Sequence, residues 1–481
     1  MARSCASNRH NREVSGYVTD TTYADTFFRE LSPAWINYVA ALNGAQPIPL
    51  DAPFRYLELG CGFGTSAVVN AAAFPHASVD ACDFNASHVS GGMAYAAQLG
   101  LSNITFHSTA FEQLLDIPLE PYDFIVMHGV YSWVDAETRR LLRGLVERLL
   151  RPGGLMYVSY NALPGWSAEL ALRKLLLTLT QAASGDAAER AAYGVERMTL
   201  LRDAGLRYFT ANPSAGVALD AYTRGQGHYL AHEFMNGAWE PFYAVDVADE
   251  FARVGLALVG NATLPHNHLP LMVDAKLAIE IGHLPNVYQQ QVVTDFAVNQ
   301  RFRRDVFIRS TATESRQEHL DRTPIGCVSD VEEIGPAIRV PRGEIRFQDE
   351  FIRDVRALFA QGSWAFGDAV SQLTTAGHDW VAVARNLQFL VAGGALAPFA
   401  RMTVSGPTAP TRLANPTIER AAHGERLRAG RPVIPSVIYG NGVELDVETL
   451  DALRQWSRGD TVSDVFLARQ LPRLARLGIV E

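Results

Sequence analysis

The chain has 481 residues, of which 48% are hydrophobic and 19% are charged, and its formal net charge at pH 7 is -9. This composition is typical of a globular protein with sizeable cores and excludes a mostly disordered chain. The acidic balance disfavours nucleic acid as a partner, because phosphate repels a surface without clustered basic residues.

No stretch approaches the roughly 20 consecutive apolar residues that span a bilayer, so we expect no membrane span. Residues 1–20 are polar, lack the apolar core of a secretory signal and are predicted to form a flexible tail. The four cysteines, at positions 5, 61, 82 and 327, show no C-x-x-C spacing. We therefore expect a reducing compartment, the cytoplasm, and no metal site built on thiolates.

Strand and helix patterns alternate along the first third of the chain. A helical segment over 23–41 comes first. Apolar strands are then predicted at 54–59, 77–82, 104–107, 124–127 and 155–160, and helices at 65–73, 86–99 and 136–150. This alternation predicts an α/β fold, with a mostly parallel sheet covered by helices on both faces.

The rest of the chain is predicted to be mainly helical. Two further strands, at 256–259 and 306–308, are expected to complete a seven-stranded sheet, the second as a short edge strand. Three helical segments within 347–400 indicate a winged-helix-like module. The expected divisions are a tail at 1–20, a core at 21–170, a helical insertion at 171–240, a completion of the core at 241–310, a linker at 311–345 and a C-terminal module at 346–481.

A glycine-rich loop follows the first predicted strand, with the sequence Glu58-Leu59-Gly60-Cys61-Gly62-Phe63-Gly64. A dinucleotide-binding loop needs G-x-G-x-x-G, which would place glycine at position 65, where this chain has threonine. The spacing E-x-G-x-G-x-G is instead typical of enzymes that use S-adenosylmethionine, which has no pyrophosphate. Glycines let the backbone approach the amino-acid and ribose parts of this ligand, and the acid faces its positive end.

A second acidic residue strengthens this interpretation. Asp83 closes the second strand, 23 residues beyond Gly60. A carboxylate in that position can accept hydrogen bonds from both ribose hydroxyls. The loop and Asp83 together predict a binding site for S-adenosylmethionine.

The sequence resembles the class I, Rossmann-like methyltransferases, and within them those that carry a methyltransferase regulatory domain, among which are bacterial protein-lysine methyltransferases. The resemblance covers about 20–310 and rests on HGVYSW at 128–133, YNALPGW at 160–166, YLAHEF at 229–234 and RFRRDVF at 301–307. It implies that Tyr23 covers the cofactor and that Phe111 offers its ring and backbone to the adenine. It also implies that the acceptor is a protein lysine.

The acceptor site is expected after the fourth strand. Many amine methyltransferases place D/N/S-P-P-Y/F there, and this chain aligns His128-Gly129-Val130-Tyr131 with that motif, without either proline. The resemblance then makes Tyr131 the aromatic residue that grips the target nitrogen, while His128 would accept a proton near neutral pH. Asn161 follows the fifth strand, at the same edge of the sheet, and completes the predicted catalytic set.

Other functions remain open from the sequence. A small-molecule N- or O-methyltransferase would use the insertion as a lid over a closed apolar pocket, whereas a protein substrate needs an open groove. A non-catalytic scaffold that retains the fold is the alternative from another class. No metal is predicted, and the sequence allows a homodimer.

Overall fold

The computed structural model describes residues 13–14, 17–18, 26–181, 183–224, 236–309, 316–404, 410–424 and 432–481. Tyr23, Cys5 and the segment 229–234 lie outside these residues. A seven-stranded sheet is formed by β1 Arg55–Leu59, β2 Ser78–Asp83, β3 Ile104–Ser108, β4 Tyr122–Met127, β5 Leu150–Asn161, β6 Leu256–Asn261 and β7 Phe302–Arg309. Among the described residues, no helix is long and apolar enough to cross a membrane.

The strand order in the sheet is β3-β2-β1-β4-β5-β7-β6. The first five strands pair in parallel, and β7 runs antiparallel to its neighbours β5 and β6. From β1, the next strands in the chain, β2 and β3, lie to one side of the sheet, and β4 and β5 lie to the other. In open α/β sheets, ligands bind outside the carboxyl ends of the strands at such a switch point, here between β1 and β4. The predicted α/β class, with a mostly parallel seven-stranded sheet, is confirmed.

One strand prediction was wrong. The predicted short edge strand at 306–308 is the eight-residue β7, which lies inside the sheet, and β6 forms the edge instead. The flanking residues Arg304 and Arg309 suggested an edge position, but both are only partly exposed, and the neighbouring Arg303 is buried beside Asp295 and Asp305. Paired charge allowed the strand to enter the interior.

Helices cover both faces of the sheet. Tyr56 and Phe124 point into an apolar cluster with the helices at 33–42 and 65–73, whereas the neighbouring residues Leu57 and Ile125 pack in a second cluster with the helices at 136–149 and 244–252. This alternation follows from the two-residue period of a strand. The helices of this part are α1 Pro33–Leu42, α2 Thr65–Ala73, α3 Ala86–Leu99, α4 Phe111–Leu114, α5 Ala136–Leu149, α6 Ser167–Leu179, α7 Ala187–Asp203, α8 Arg207–Ala211, α9 Pro213–Arg224, α10 Ala244–Ala252, α11 Leu269–Met272, α12 Ala275–Gly282 and α13 Val287–Val298.

The predicted helical insertion contains α6 to α9, which share an apolar cluster with tryptophans from the loops after the strands. Trp166 packs edge-on against Trp239 at a centroid distance of 5.2 Å, and both are buried. The side chain of Asp186 and that of Glu189 form a capping box that begins α7. The insertion is therefore anchored beside the carboxyl edge of the sheet.

The C-terminal part combines helices with short strands. Its helices are α14 Arg316–Asp321, α15 Asp349–Phe359, α16 Phe366–Thr375, α17 Trp380–Ala392, α18 Pro416–His423, α19 Val447–Ser457 and α20 Leu471–Arg476. Its strands are β8 Pro324–Gly326, β9 Ala337–Val340, β10 Gly343–Arg346, β11 Gly362–Ala365, β12 Ala397–Pro398, β13 Thr403–Val404, β14 Val433–Ser436 and β15 Asn441–Glu444. The three helices predicted within 347–400 correspond to α15, α16 and α17.

The structure differs from the predicted linker at 311–345. From Arg316 onward this segment contains α14, β8 and β9, and it buries Leu320, Ile325 and Ile334 in the same apolar cluster as α1 and α2. The polar composition hid these isolated apolar residues, which are spaced too irregularly to reveal a strand or helix. The segment is packed against the core instead of connecting two units.

Candidate active site

The glycine loop bends between β1 and α2 in a conformation that only glycine adopts easily. Gly60, Gly62 and Gly64 have φ values of 71°, 54° and 67°. A Cβ atom at Gly60 would lie 2.4 Å from Val130 Cγ2, so the loops after β1 and β4 meet here. A Cβ atom at Gly62 would have no described heavy atom within 4 Å. The backbone at Gly62 therefore faces open space, as a ligand cradle requires.

Asp83 ends β2 and is joined directly to this loop. Its Oδ2 accepts a hydrogen bond from the Gly62 N–H at 2.9 Å, and its Oδ1 accepts one from the Asn85 N–H at 2.9 Å. Each carboxylate oxygen keeps a further lone pair for a ligand hydroxyl. The carboxylate thus shapes the loop and stands beside the open backbone at Gly62, consistent with the predicted ribose contact.

Glu58 lies in β1, two residues before the first glycine, and is only 4% exposed. Burial raises the pKa of its carboxyl group to about 8, and the nearby negative charge of Asp83 acts in the same direction. The Tyr56 hydroxyl donates a hydrogen bond to Glu58 Oε2 at 3.4 Å, which opposes this rise. The carboxyl group is therefore mostly protonated at neutral pH, and a cationic ligand would favour its ionised form.

Phe111 begins α4 and lies next to the glycine loop. Its Cζ atom is 3.8 Å from the position that a Cβ atom of Gly60 would take. This position is consistent with contact to the adenine ring of a cofactor held by the loop. The adenine contact itself stays a prediction.

His128 follows β4, at the same edge of the sheet. Its Nδ1 shares a hydrogen bond of 2.8 Å with the Tyr157 hydroxyl, and its ring lies 3.9 Å from the ring of Phe28. Burial, and then the positive charge of Arg304, lower its pKa to about 3. His128 is thus neutral at physiological pH and a weak base, which argues against the predicted proton acceptor.

Tyr131 is fully buried among the rings of Phe242 and Phe251. Its hydroxyl donates to Glu250 Oε2 and accepts a hydrogen bond from Arg143 Nη1 at 2.9 Å. The hydroxyl is already committed to two charged groups, which argues against the predicted acceptor-gripping role. The aligned motif could not show this, because the partner in α10 is far away in sequence.

Asn161 ends β5 beside the loop after β4. Its backbone N–H donates to Ser132 Oγ at 2.9 Å, and its side chain is 6% exposed. The Nδ2 atom is buried and has no hydrogen-bond partner among the described residues. An unpaired buried donor costs about 1–3 kcal/mol, so a bound ligand that accepts from it would be favoured. Of the three predicted catalytic residues, Asn161 has the surroundings that suit a ligand contact best.

Two residues of this edge were missed from the sequence. Phe28 packs on His128, and Gly129 has a φ of 65° with no described atom within 4 Å of its Cβ position. The Gly129 N–H is held by Ser159 Oγ at 2.8 Å. A glycine directly after an apolar strand was the available signal for Gly129, whereas nothing local marks Phe28.

Comparisons with known proteins agree with this geometry. A methyltransferase domain family matches residues 57–156, and a family described as "Predicted methyltransferase regulatory domain" matches residues 226–309. An uncharacterized protein of Synechocystis sp. is 30% identical over 365 residues, which are 75% of this chain and 72% of that protein. The malonyl-[acyl-carrier protein] O-methyltransferase of Bacillus cereus is 32% identical over 111 residues, 23% of this chain and 39% of that enzyme.

Among solved structures, PKMT2 from Rickettsia typhi has a TM-score of 0.66 at 16% identity, over 92% of this chain and 90% of that one. Its complex with AdoHcy has a TM-score of 0.65 at 16% identity, over 90% and 88% of the two chains. The fold and the methyltransferase family match therefore identify a class I methyltransferase that uses S-adenosylmethionine. The chain belongs to the methyltransferases that carry the regulatory domain, and the uncharacterized Synechocystis protein is a relative of it.

The regulatory region takes part in the sheet. Residues 226–309 include β6, β7 and the helices α10 to α13. From β7, Asp305 accepts a hydrogen bond of 2.5 Å from the Tyr160 hydroxyl, next to Asn161. In the basic run at 301–304, Arg303 binds Asp295 and Asp305, Arg301 binds Glu169, and Arg304 donates a hydrogen bond to Thr263 Oγ1.

Proposed function

We propose that the methyl acceptor is a lysine side chain of a protein. The observation that carries this proposal is the shared architecture with PKMT2 of Rickettsia typhi, a lysine methyltransferase, over 92% of this chain. The two other matched methyltransferases each cover only 111 residues, 23% of this chain. The likeness to PKMT2 includes the regulatory and C-terminal parts.

The surroundings of the site suit an amine acceptor. S-adenosylmethionine supplies a methyl group bound to a positively charged sulfur, and S-adenosylhomocysteine, a neutral thioether, is a good leaving group. Lysine has an ordinary pKa of about 10.4 and must lose its proton to attack. Apolar surroundings favour the neutral amine, and the ring of Phe28 on His128 supplies them at this edge. Because His128 is itself neutral, it adds no positive charge that would repel the methylated product.

Each residue then has a defined task. Asp83 would accept hydrogen bonds from the ribose hydroxyls, and the open backbone at Gly62 would admit the ligand. The Glu58 carboxyl group would ionise beside the cationic end of the cofactor. The Asn161 side-chain oxygen would orient the acceptor by accepting a hydrogen bond from its amine N–H, which leaves the nitrogen lone pair free for in-line attack. This attack is mainly a matter of alignment and exclusion of water. The lysine proton passes to solvent before attack.

The proposal is tested with radiolabelled S-adenosylmethionine and a lysate of the source cells. We expect label in protein that yields methyl-lysine after acid hydrolysis, and much less label with the Asp83→Asn variant. Label confined to the small-molecule fraction would contradict the protein acceptor and support the small-molecule alternative.

We also propose a cytoplasmic site of action, since Cys61, Cys82 and Cys327 are free thiols.

A further inference from the structure

The segment just before α1 lies at the candidate cofactor site. The Phe28 N–H donates a hydrogen bond of 3.0 Å to Ser66 Oγ, in the first turn of α2 directly after the glycine loop. The Phe28 ring lies 3.9 Å from the ring of His128, at the end of β4. Phe28 therefore touches both sides of the point between β1 and β4 where ligands bind in this type of sheet.

The position of Phe28 depends on the single turn of 3-10 helix that follows it, Arg29–Leu31. The Leu31 carbonyl accepts hydrogen bonds from the Tyr56 hydroxyl at 3.2 Å and from Asn70 Nδ2 at 3.3 Å. The same Tyr56 hydroxyl lies 3.4 Å from Glu58 Oε2, so its single hydrogen is shared between these two acceptors. Through Tyr56, the turn is thus connected to β1, the strand that leads into the glycine loop.

The turn also forms hydrogen bonds with the C-terminal hairpin of β14 and β15. Asn441 Nδ2 donates to the Arg29 carbonyl at 2.9 Å, and the Ser32 hydroxyl donates to the Gly440 carbonyl at 2.5 Å. Asn441 is 1% exposed and Ser32 is fully buried. These hydrogen bonds join residues 412 and 408 positions apart in the chain.

Close packing continues along the same hairpin. A Cβ atom at Gly442 would lie 2.8 Å from Phe27 Cζ and 3.0 Å from Val69 Cγ1 of α2. Only a glycine allows the hairpin to approach both the segment before Phe28 and the helix after the glycine loop. The hairpin therefore contacts both elements that border the cofactor site on this side.

We propose that the C-terminal hairpin is part of the cofactor-binding machinery, and that Asn441 is a positioning residue for it. The hydrogen bond from Asn441 to the Arg29 carbonyl fixes the turn Arg29–Leu31. The turn in turn places Phe28 against His128 and Ser66, at the edge of the cofactor site. The C-terminal part then acts on cofactor affinity through Phe28, whatever the acceptor is. The inference rests on the cofactor class alone and does not depend on a lysine acceptor.

The test compares Asn441→Ala with Ser363→Ala in the full-length chain. Ser363 is a matched control in the C-terminal part but outside the hairpin, because it is also buried and its hydroxyl donates to a backbone carbonyl, that of Arg401, at 2.8 Å. The dissociation constants of S-adenosylmethionine and S-adenosylhomocysteine are measured by calorimetry without any acceptor, and the melting temperature is measured in parallel. We expect both variants to melt earlier and only Asn441→Ala to bind both ligands about tenfold more weakly.

A double-mutant cycle tests whether Asn441 acts on cofactor affinity through Phe28. If Asn441 acts through Phe28, the loss of affinity caused by Asn441→Ala becomes much smaller in the Phe28→Ala background. Additive effects would overturn the proposal, as would equal weakening by Ser363→Ala or unchanged affinity in Asn441→Ala. If Asn441→Ala does not fold, Asn441→Asp serves instead, because it keeps the acceptor for the Gly442 N–H and loses the donor to Arg29.

Discussion

On the β1–β2 side of the site, contacts join residues that are close in sequence, as in the hydrogen bond from the Gly62 N–H to Asp83, 21 positions away. On the β4–β5 side, Tyr131 binds Glu250 across 119 positions and Tyr160 binds Asp305 across 145. The glycine loop and Asp83 therefore form a local motif, whereas the β4–β5 side is assembled with the regulatory region. A motif alignment is informative about the first and cannot record the distant partners of the second. Four experiments test this difference.

The largest effect is expected on the acceptor side, for Arg303→Met. Arg303 is fully buried between Asp295 and Asp305, so its removal leaves two carboxylates without their cation. We expect the free energy of unfolding to fall by about 3–5 kcal/mol, measured by urea denaturation. Arg202→Met is the control, because Arg202 pairs with the exposed Asp220, and solvent screens that pair. Equal losses in the two variants would show that the buried network does not support this side.

Next comes Asp83→Asn on the cofactor side. The variant loses the charge of the carboxylate and with it the charge-assisted hydrogen bonds to ribose, each worth about 1.5–3 kcal/mol. We therefore expect the dissociation constant of S-adenosylmethionine to rise roughly ten- to hundredfold. Asp80→Asn is a matched control from the same strand, since the Asp80 carboxylate is already hydrogen-bonded to His107 and Tyr122. Calorimetry that finds the same affinity for Asp83→Asn and the native protein would remove the ribose assignment.

A smaller effect concerns the proton on Glu58. In the free protein its pKa is raised to about 8, so the carboxyl group is mostly protonated at pH 7. A cationic ligand lowers this pKa, and binding then releases a proton; affinity should rise between pH 6 and 8 by up to about tenfold per pH unit. Calorimetry in two buffers with different ionisation enthalpies counts this proton. Glu58→Gln should abolish the release, and an unchanged proton count in that variant would place the titrating group elsewhere.

The smallest effect is expected for Tyr131→Phe. The variant loses a hydroxyl between Glu250 and Arg143, but these two residues keep their own hydrogen bond of 2.9 Å. We expect a loss of about 1 kcal/mol in the free energy of unfolding and turnover within about twofold of the native value. Steady-state kinetics and urea denaturation on one preparation separate the two. A large drop in turnover at unchanged stability would return Tyr131 to the acceptor site.

The sequence by itself determined the α/β class, the loop from Glu58 to Gly64 and Asp83. These features depend on apolar periodicity and on glycine and carboxylate spacing within about 30 residues, which local physics controls. The helices at 65–73 and 86–99 were also predicted with the bounds that the structure has.

Tertiary structure alone decided the rest. The positions of β7 inside the sheet, of Tyr131 beside Glu250 and of Asn441 beside Arg29 depend on partners up to 412 positions away, which no local pattern records. Burial likewise determines that His128 is a weak base and that Glu58 holds a proton, because the cost of a charge depends on the residues folded around it.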